Sequence, residues 1–249
     1  MNKTVFIGDL HGDLNRILHV EAEYKGWDKV FVGDYVDSYY FTRKSQLLTL
    51  EKILLMVERE EAIALMGNHD LGYLYKGMGC SGYSGVMESM LVHLKSKMWK
   101  HLKFYHLYKE ENLLVTHAGL TSYLWKERGL TVQNLGENLE EWWRTPLDSS
   151  PFGWLGRERG GIDPVGGPFW CDFNKEFKPI SQISQIFGHT GGRTARYLPG
   201  IEKMGNESHN WNIDLVENIP MWFFLEYVDG QFTEKYVEAQ IDEHQLMKP

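Results

Sequence analysis

The chain has 249 residues with a formal net charge of -8, long enough for one large hydrophobic core. Its 43% hydrophobic and 24% charged residues are ordinary for a globular protein, and the acidic balance excludes a basic track for nucleic acid. The two cysteines are too few for a disulfide framework, and no apolar stretch reaches the roughly 20 residues that span a bilayer. We expect no signal peptide and predict a cytoplasmic protein with a single domain over residues 1–249.

The first half of the chain alternates strands and helices. Short apolar runs predict buried strands at Val5–Ile7, Asp28–Val32 and Ala62–Met66. Between them, helical spacing predicts one helix from Asp13 to Tyr24, capped by Asp13, and another that is capped by Ser45 and closed by the charged run Glu58–Glu61. This β-α-β-α-β order predicts a sheet that is at least partly parallel.

The second half is more irregular. A Gly- and Tyr-rich loop is predicted over 71–84, a helix over 85–99, and two strands over 102–108 and 112–116. The Gly- and Pro-rich segment 149–173 follows two Trp-bearing helices, and its aromatic residues predict an ordered loop. The alternating pattern over 221–237, around Asp229-Gly230, predicts a β-hairpin.

Five short segments combine glycine with Asp, His or Asn: Gly8–Gly12, Gly33–Asp37, Gly67–Asp70, Thr116–Gly119 and Gly188–Thr190. At least four of them follow a predicted strand, and an α/β sheet presents its chemistry at the carboxyl ends of its strands. One such segment is often only a turn or cap. Five in order, with only Asp, His and Asn as candidate ligands, favour a two-metal hydrolytic site.

Carboxylate, amide and imidazole donors suit Mn²⁺, Mg²⁺, Fe or Zn²⁺. Asp9 and His11 are two residues apart and can reach one ion, while Asp34 has two carboxylate oxygens and can bridge to a second. Asn68, His117 and His189 would complete the second site. Two ions about 3.5–4 Å apart can activate a bridging hydroxide for attack on phosphorus.

His69 lies next to Asn68 in the sequence and is not needed as a ligand. It can therefore act as general acid on the leaving oxygen, oriented by Asp37.

These motifs, from Gly8 to Thr190, resemble those of the calcineurin-like metallophosphoesterase superfamily, and most of all its phosphoprotein phosphatase branch with bacterial and phage relatives. The resemblance implies a four-layer α/β/β/α sandwich of two packed mixed β-sheets flanked by helices. It implies that the first metal is held by Asp9, His11 and Asp34, the second by Asp34, Asn68, His117 and His189, and that His69 and Asp37 form the proton-donating dyad.

The chain departs from the phosphoprotein phosphatase pattern at two positions. Ser38 stands where G-D-x-x-D-R-G has an Arg that grips substrate phosphate, and Asp70 stands where G-N-H-E has Glu. Serine offers neither the charge nor the fork of guanidinium, so another arginine is expected to take over. The candidates are Arg43, Arg157, Arg159 and Arg193. Arg159 is favoured because it lies in a Gly-rich loop, and Arg157 and Asn68 are further candidates for substrate contact.

The sequence therefore predicts a phosphomonoesterase with two divalent ions, Mn²⁺ first, that attacks phosphate directly with metal-bound hydroxide. A phosphorylated protein, as phosphoserine or phosphothreonine, or a small phosphoester is the expected substrate. One alternative is a nucleotide or dinucleoside polyphosphate hydrolase, whose base could stack on the aromatic residues Tyr39, Tyr40, Tyr73, Trp154 and Trp170. Another is a metal-binding scaffold without activity. A nuclease is least favoured because no basic track is present.

Overall fold

Two five-stranded sheets form the framework of the protein. The computed structural model describes residues 3–201 and 207–247. The chain divides into two units, residues 1–103 with 215–249 and residues 104–214, and each unit contains one sheet. In the described part of the chain, no helix is both long and apolar enough to cross a membrane.

The strands, in chain order, are β1 (Thr4–Ile7), β2 (Asp28–Phe31), β3 (Ile63–Ala64), β4 (Tyr105–Tyr108), β5 (Leu113–Thr116), β6 (Ser184–Phe187), β7 (Arg196–Ile201), β8 (Glu207–Asn212), β9 (Met221–Val228) and β10 (Gln231–Glu238). The α-helices are α1 (Leu14–Glu23), α2 (Arg43–Glu58), α3 (Asn68–Gly72), α4 (Gly85–Leu91), α5 (Lys95–His101), α6 (Ser122–Glu127) and α7 (Leu135–Arg144).

The sheet of the first unit has the order β10-β9-β1-β2-β3. β1, β2 and β3 are parallel, with Thr4 opposite Asp28 and Val30 opposite Ile63, so their carboxyl ends meet at one edge. The predicted C-terminal hairpin is present as β9 and β10, and β9 is antiparallel to β1. β1 is fully buried, as expected for a strand that reads as a continuous apolar run.

Asp13 caps α1 as predicted, because its carboxylate accepts from the backbone N–H of Arg16 at 3.0 Å. The predicted cap of α2 is wrong. Thr42 caps that helix by accepting from the backbone N–H of Ser45, while the buried hydroxyl of Ser45 donates to the carbonyl of Gly12 at 2.8 Å. The helix predicted over 85–99 is also wrong in detail, since two shorter helices, α4 and α5, occupy that region.

The sheet of the second unit has the order β4-β5-β6-β8-β7. β5, β6 and β8 are parallel, and β4 and β7 are antiparallel edge strands. The predicted strands β4 and β5 are present. The segment 149–173 contains two 3-10 turns, Pro151–Gly153 and Arg157–Arg159. The buried side chains of Phe152 and Phe169 anchor it.

Candidate active site

The parallel strands of the first unit deliver three ligand-rich segments to one edge of its sheet. Asp9 follows β1, Asp34 follows β2 and Asn68 begins α3 after β3. The backbone N–H groups of Leu10 and His11 donate to the carbonyl of Asp34 at 3.1 and 2.8 Å. The first two segments are therefore tied together by main chain, as the strand order requires.

Asp9, His11 and Asp34 form a group able to hold one metal ion. Each offers one ligand atom, and these three atoms lie within 4.8 Å of one another. Nδ1 of His11 hydrogen-bonds to the carbonyl of Val36 at 2.9 Å, which fixes the ring and directs Nε2 towards the group, 3.8 Å from Oδ2 of Asp34. Two carboxylates and one imidazole fit Mn²⁺, Fe or Zn²⁺.

The backbone is strained at four of the predicted site residues. His11, Asp34, Asp37 and His189 have φ values of 45°, 53°, 64° and 71°, a left-handed region that residues other than glycine rarely adopt. Such conformations persist only where surrounding contacts enforce them, and they concentrate at functional sites. Four of the seven residues other than glycine with positive φ in the described chain are therefore predicted site residues.

Asp70 holds the Asp34 segment in this conformation. Its fully buried carboxylate accepts from the backbone N–H groups of Asp34, Tyr35 and Gly67 at 2.8, 2.9 and 2.9 Å. Oδ1 of Asp34 in turn accepts from the backbone N–H of His69 at 2.9 Å. The sequence marked Asp70 only as a departure from the family pattern, and the structure makes it a positioning residue.

His69 and Asp37 form the predicted dyad. Nδ1 of His69 lies 3.1 Å from Oδ2 of Asp37, and Nε2 lies 4.0 Å from Oδ2 of Asp34. Burial by itself lowers the pKa of His69, but the neighbouring carboxylates of Asp34 and Asp37 outweigh it and raise the pKa to about 9. These two carboxylates favour the imidazolium form, which is the form that a general acid needs.

Tyr73, named above as a possible base-stacking residue, completes this group. Its ring is 2% exposed, and its hydroxyl donates to Oδ1 of Asp37 while accepting from the backbone N–H of Ser84 at 3.1 Å. The ring of Tyr83 stacks on it, with centroids 4.9 Å apart. Tyr73 therefore supports the dyad and is not available to stack a base.

Asn68 is buried beside Cys80. Its side-chain nitrogen donates to Sγ of Cys80 at 3.2 Å, and the thiol donates to the backbone carbonyl of Asn68 at 3.1 Å. This pairing fixes the orientation of the amide, and the side-chain oxygen is the atom that a metal ion would require.

In the second unit, the ends of two neighbouring parallel strands bring His117 and His189 together. His117 follows β5 and His189 follows β6, whose register places Val115 opposite Ile186. Nδ1 of His189 lies 3.2 Å from Nε2 of His117, and the backbone N–H of Gly188 donates to the carbonyl of His117 at 2.7 Å. Paired imidazoles of this kind are common metal ligands.

Arg159 lies next to this histidine pair within the second unit. Its guanidinium donates to the hydroxyl of Thr190 at 3.1 Å and pairs with the carboxylate of Asp172 at 3.0 Å. Its side chain is 32% exposed. Arg157 is on the same 3-10 turn and is exposed.

Ser38, in the first unit, hydrogen-bonds to a carboxylate that the sequence did not single out. Its hydroxyl donates to Oε2 of Glu217 and accepts from the backbone N–H groups of Tyr40 and Phe41 at 2.9 and 2.8 Å. The single proton of this hydroxyl is therefore committed to Glu217.

Comparison with known proteins gives the family and the fold. The calcineurin-like phosphoesterase family model matches residues 3–193. A protein serine/threonine phosphatase from Saccharomyces cerevisiae with similarity to human phosphatase PP5 is 15% identical, with a TM-score of 0.51 over 97% of this chain and 81% of that chain. A hypothetical protein from Pyrococcus horikoshii OT3 is 9% identical, with a TM-score of 0.51 over 98% and 90%.

No curated protein sequence matches the chain significantly. At such low identities the two solved structures show the fold alone, and they confirm the predicted metallophosphoesterase fold. The family match covers most of the chain and includes all five ligand-rich segments. The protein therefore belongs to the calcineurin-like phosphoesterase family.

Proposed function

We propose that this phosphoesterase hydrolyses phosphate monoesters, with two divalent ions as cofactors and His69 as general acid. The observation that carries the proposal is the position of the His69–Asp37 pair beside the Asp9, His11 and Asp34 group. A metal group without a proton donor would suit a binding site, whereas the two together suit ester hydrolysis.

Asp9, His11 and Asp34 would hold the first ion. For the second ion, the family resemblance assigns Asp34, Asn68, His117 and His189, and the fixed amide of Asn68 and the paired imidazoles support that assignment. Divalent ions, with Mn²⁺ as our first choice, would supply a nucleophilic hydroxide near neutral pH and offset charge on the phosphoryl oxygens.

His69, Asp37 and Tyr73 together donate and position the proton for the leaving group. Asp37 holds Nδ1 of His69, so Nε2 carries the proton that passes to the leaving alkoxide. Tyr73 fixes the other oxygen of Asp37, which prevents the carboxylate from rotating away from the imidazole. A monoester with a poor leaving group depends most on this donation.

Arg159 is our candidate for the substrate's phosphate. Its contact with Thr190 places a guanidinium one residue from His189, and a guanidinium can grip two phosphate oxygens at once. Arg157 and Asn68 are further candidates for substrate contact. We propose a phosphorylated protein or a small phosphoester, met in the cytoplasm, as the substrate.

The monoester proposal is better supported than the dinucleoside polyphosphate alternative. Two of the aromatic residues that could have stacked a base, Tyr73 and Trp170, are 2% and 8% exposed. Tyr39 and Tyr40 are exposed, at 63% and 42%, but they directly follow Ser38, whose hydroxyl is bonded to the carboxylate of Glu217.

The test is hydrolysis of p-nitrophenyl phosphate and bis-p-nitrophenyl phosphate by purified protein with Mn²⁺, Mg²⁺, Zn²⁺ or chelator, beside His69→Asn. We expect metal-dependent monoester cleavage that falls about 100-fold or more in the variant, the usual contribution of a general acid. Faster diester cleavage would contradict the monoester proposal. Bound metal with no turnover of any phosphoester would favour the scaffold reading instead.

A further inference from the structure

Ser38 directly follows Asp37 of the proposed dyad, and its hydroxyl is bonded to the carboxylate of Glu217. Because its one proton goes to Oε2 of Glu217 and its oxygen accepts from Tyr40 and Phe41, Ser38 has no donor left for a phosphate oxygen. The charge at this position of the site is the negative charge of Glu217.

Glu217 shares a pocket of the first unit with Asp9, one residue of the first metal group. Asp9, Phe41 and Glu217 line the same pocket of the first unit, with Val216 and Ile219 as apolar neighbours. The hydrogen bond from Ser38 places Glu217 beside the residue that follows Asp37, whose partner His69 is proposed to protonate the leaving alcohol.

Two exposed aromatic residues directly follow Ser38 in the sequence. Tyr39 and Tyr40 are 63% and 42% exposed, and the C-terminal segment hydrogen-bonds to the backbone of Tyr40 and Thr42. The N–H of Met247 donates to the carbonyl of Tyr40 at 2.6 Å, and the N–H of Thr42 donates to the carbonyl of Gln245 at 2.7 Å. The rings are thus presented on a fixed stretch of chain, which reduces the entropy lost when a ligand binds.

We propose that Glu217, together with Tyr39 and Tyr40, forms a subsite for a cationic group on the alcohol portion of the phosphoester. This inference rests on the proposed function and names its substrate class. A carboxylate attracts a cation and repels further anionic groups, and exposed aromatic faces attract ammonium groups. Phosphoesters of amino alcohols, and phosphorylated side chains next to basic residues, share this chemistry, whereas polyphosphates are disfavoured.

The experiment compares kcat/KM for three small monoesters with Mn²⁺-loaded protein: phosphocholine, glycerol 2-phosphate and 3-phosphoglycerate, whose alcohol portions are cationic, neutral and anionic. We expect the order cationic, neutral, anionic. Phosphoserine peptides flanked by Lys or by Glu form a second arm. If the Lys-to-Glu ratio of kcat/KM among the peptides exceeds the phosphocholine-to-3-phosphoglycerate ratio, the cation belongs to a protein substrate. If it is smaller, the cation belongs to a small amino alcohol ester.

Glu217→Gln keeps the size of the side chain and an oxygen that can accept from Ser38, but removes its charge. It should reduce the ratio of phosphocholine to 3-phosphoglycerate kcat/KM about tenfold, as expected for one charge near the substrate. Ratios measured on one preparation cancel differences in folding and active fraction. The matched control is Glu234→Gln on the edge strand β10, exposed, which changes net charge equally and should keep the wild-type ratio.

Two results would overturn the inference alone: active wild-type protein that prefers the anionic ester, or a Glu217→Gln ratio equal to that of wild type. Absence of turnover of every monoester by metal-loaded wild-type protein would instead overturn the proposed function on which the inference rests.

Discussion

The hydroxyl of Tyr73 donates to Oδ1 of Asp37, while Oδ2 of the same carboxylate faces Nδ1 of His69. Asp37 is thereby held on both oxygens, in a left-handed backbone conformation with φ of 64°. Its backbone N–H is also fixed, since it donates to the side chain of Gln46 at 2.9 Å. The orientation of the proposed proton donor thus depends on a residue four positions beyond it in the sequence.

Tyr73→Phe should lower kcat about tenfold for alkyl phosphates, in the range typical of losing a residue that orients a catalytic group. The loss should shrink for p-nitrophenyl phosphate, because a good leaving group needs little protonation. The measurement is kcat across esters whose leaving groups differ in pKa. A loss of equal size for all leaving groups would show that Tyr73 acts only on folding or binding.

The matched control is Tyr83→Phe. Tyr83 stacks on Tyr73, but its hydroxyl donates to Glu88 and it is 42% exposed. Removing this hydroxyl leaves the stacked rings in place, so the dependence of kcat on the leaving group should match that of wild type.

Metal binding gives a second prediction, for His11→Ala. At a Mn²⁺ concentration of 100 times Kd, one site stabilises the wild-type protein by about 2.7 kcal/mol, which corresponds to a rise in Tm of roughly 5–10 °C for a chain of this size. His11→Ala should lose most of that rise because one of three close ligand atoms is gone. His93→Ala, whose side chain is 60% exposed, should retain it. A full Mn²⁺ response in His11→Ala would exclude His11 as a ligand.

A pair of glycines tests the packing behind Asp34. A Cβ atom at Gly67 would overlap the carboxylate and backbone nitrogen of Asp34, whereas one at Gly79 would meet nothing within 4 Å. Gly67→Ala should lower the free energy of unfolding by about 1–3 kcal/mol, as overpacking does, and weaken Mn²⁺ binding. Gly79→Ala should change stability by less than about 0.5 kcal/mol. Chemical denaturation and calorimetric titration measure both, and equal behaviour of the two variants would contradict the packing argument.

The sequence predicted the ligand-rich segments because each contains glycine and at least four follow an apolar run that is typical of a buried strand. Asp9, Asp34 and His117 could be placed in this way, because hydrophobic periodicity and turn-forming glycines are local features of the sequence. The left-handed φ values at four of the site residues could not be predicted, because such conformations depend on tertiary contacts.

Other features depend on contacts distant in sequence and could not be predicted. The carboxylate of Asp70 accepts hydrogen bonds from the backbone N–H groups of Asp34 and Tyr35. The carboxylate of Glu217 accepts one from the hydroxyl of Ser38. Neither contact produces a local sequence pattern. β8 was missed because its buried positions include Asn210 and Asn212, so the alternation of polar and apolar residues that marks a strand is absent.

Arg159→Ala tests the proposed phosphate contact. Its guanidinium pairs with Asp172 at 3.0 Å and with the hydroxyl of Thr190 at 3.1 Å, so substrate must compete with Asp172 for it. We expect KM for phosphomonoesters to rise about tenfold with a smaller change in kcat, because a contact made equally in ground and transition states affects KM. Arg144→Ala is the control, since Arg144 is 74% exposed and pairs only with Glu140 among the ion pairs of the described residues. An unchanged KM in Arg159→Ala would remove Arg159 from the substrate site and leave Arg157 as the next residue to substitute.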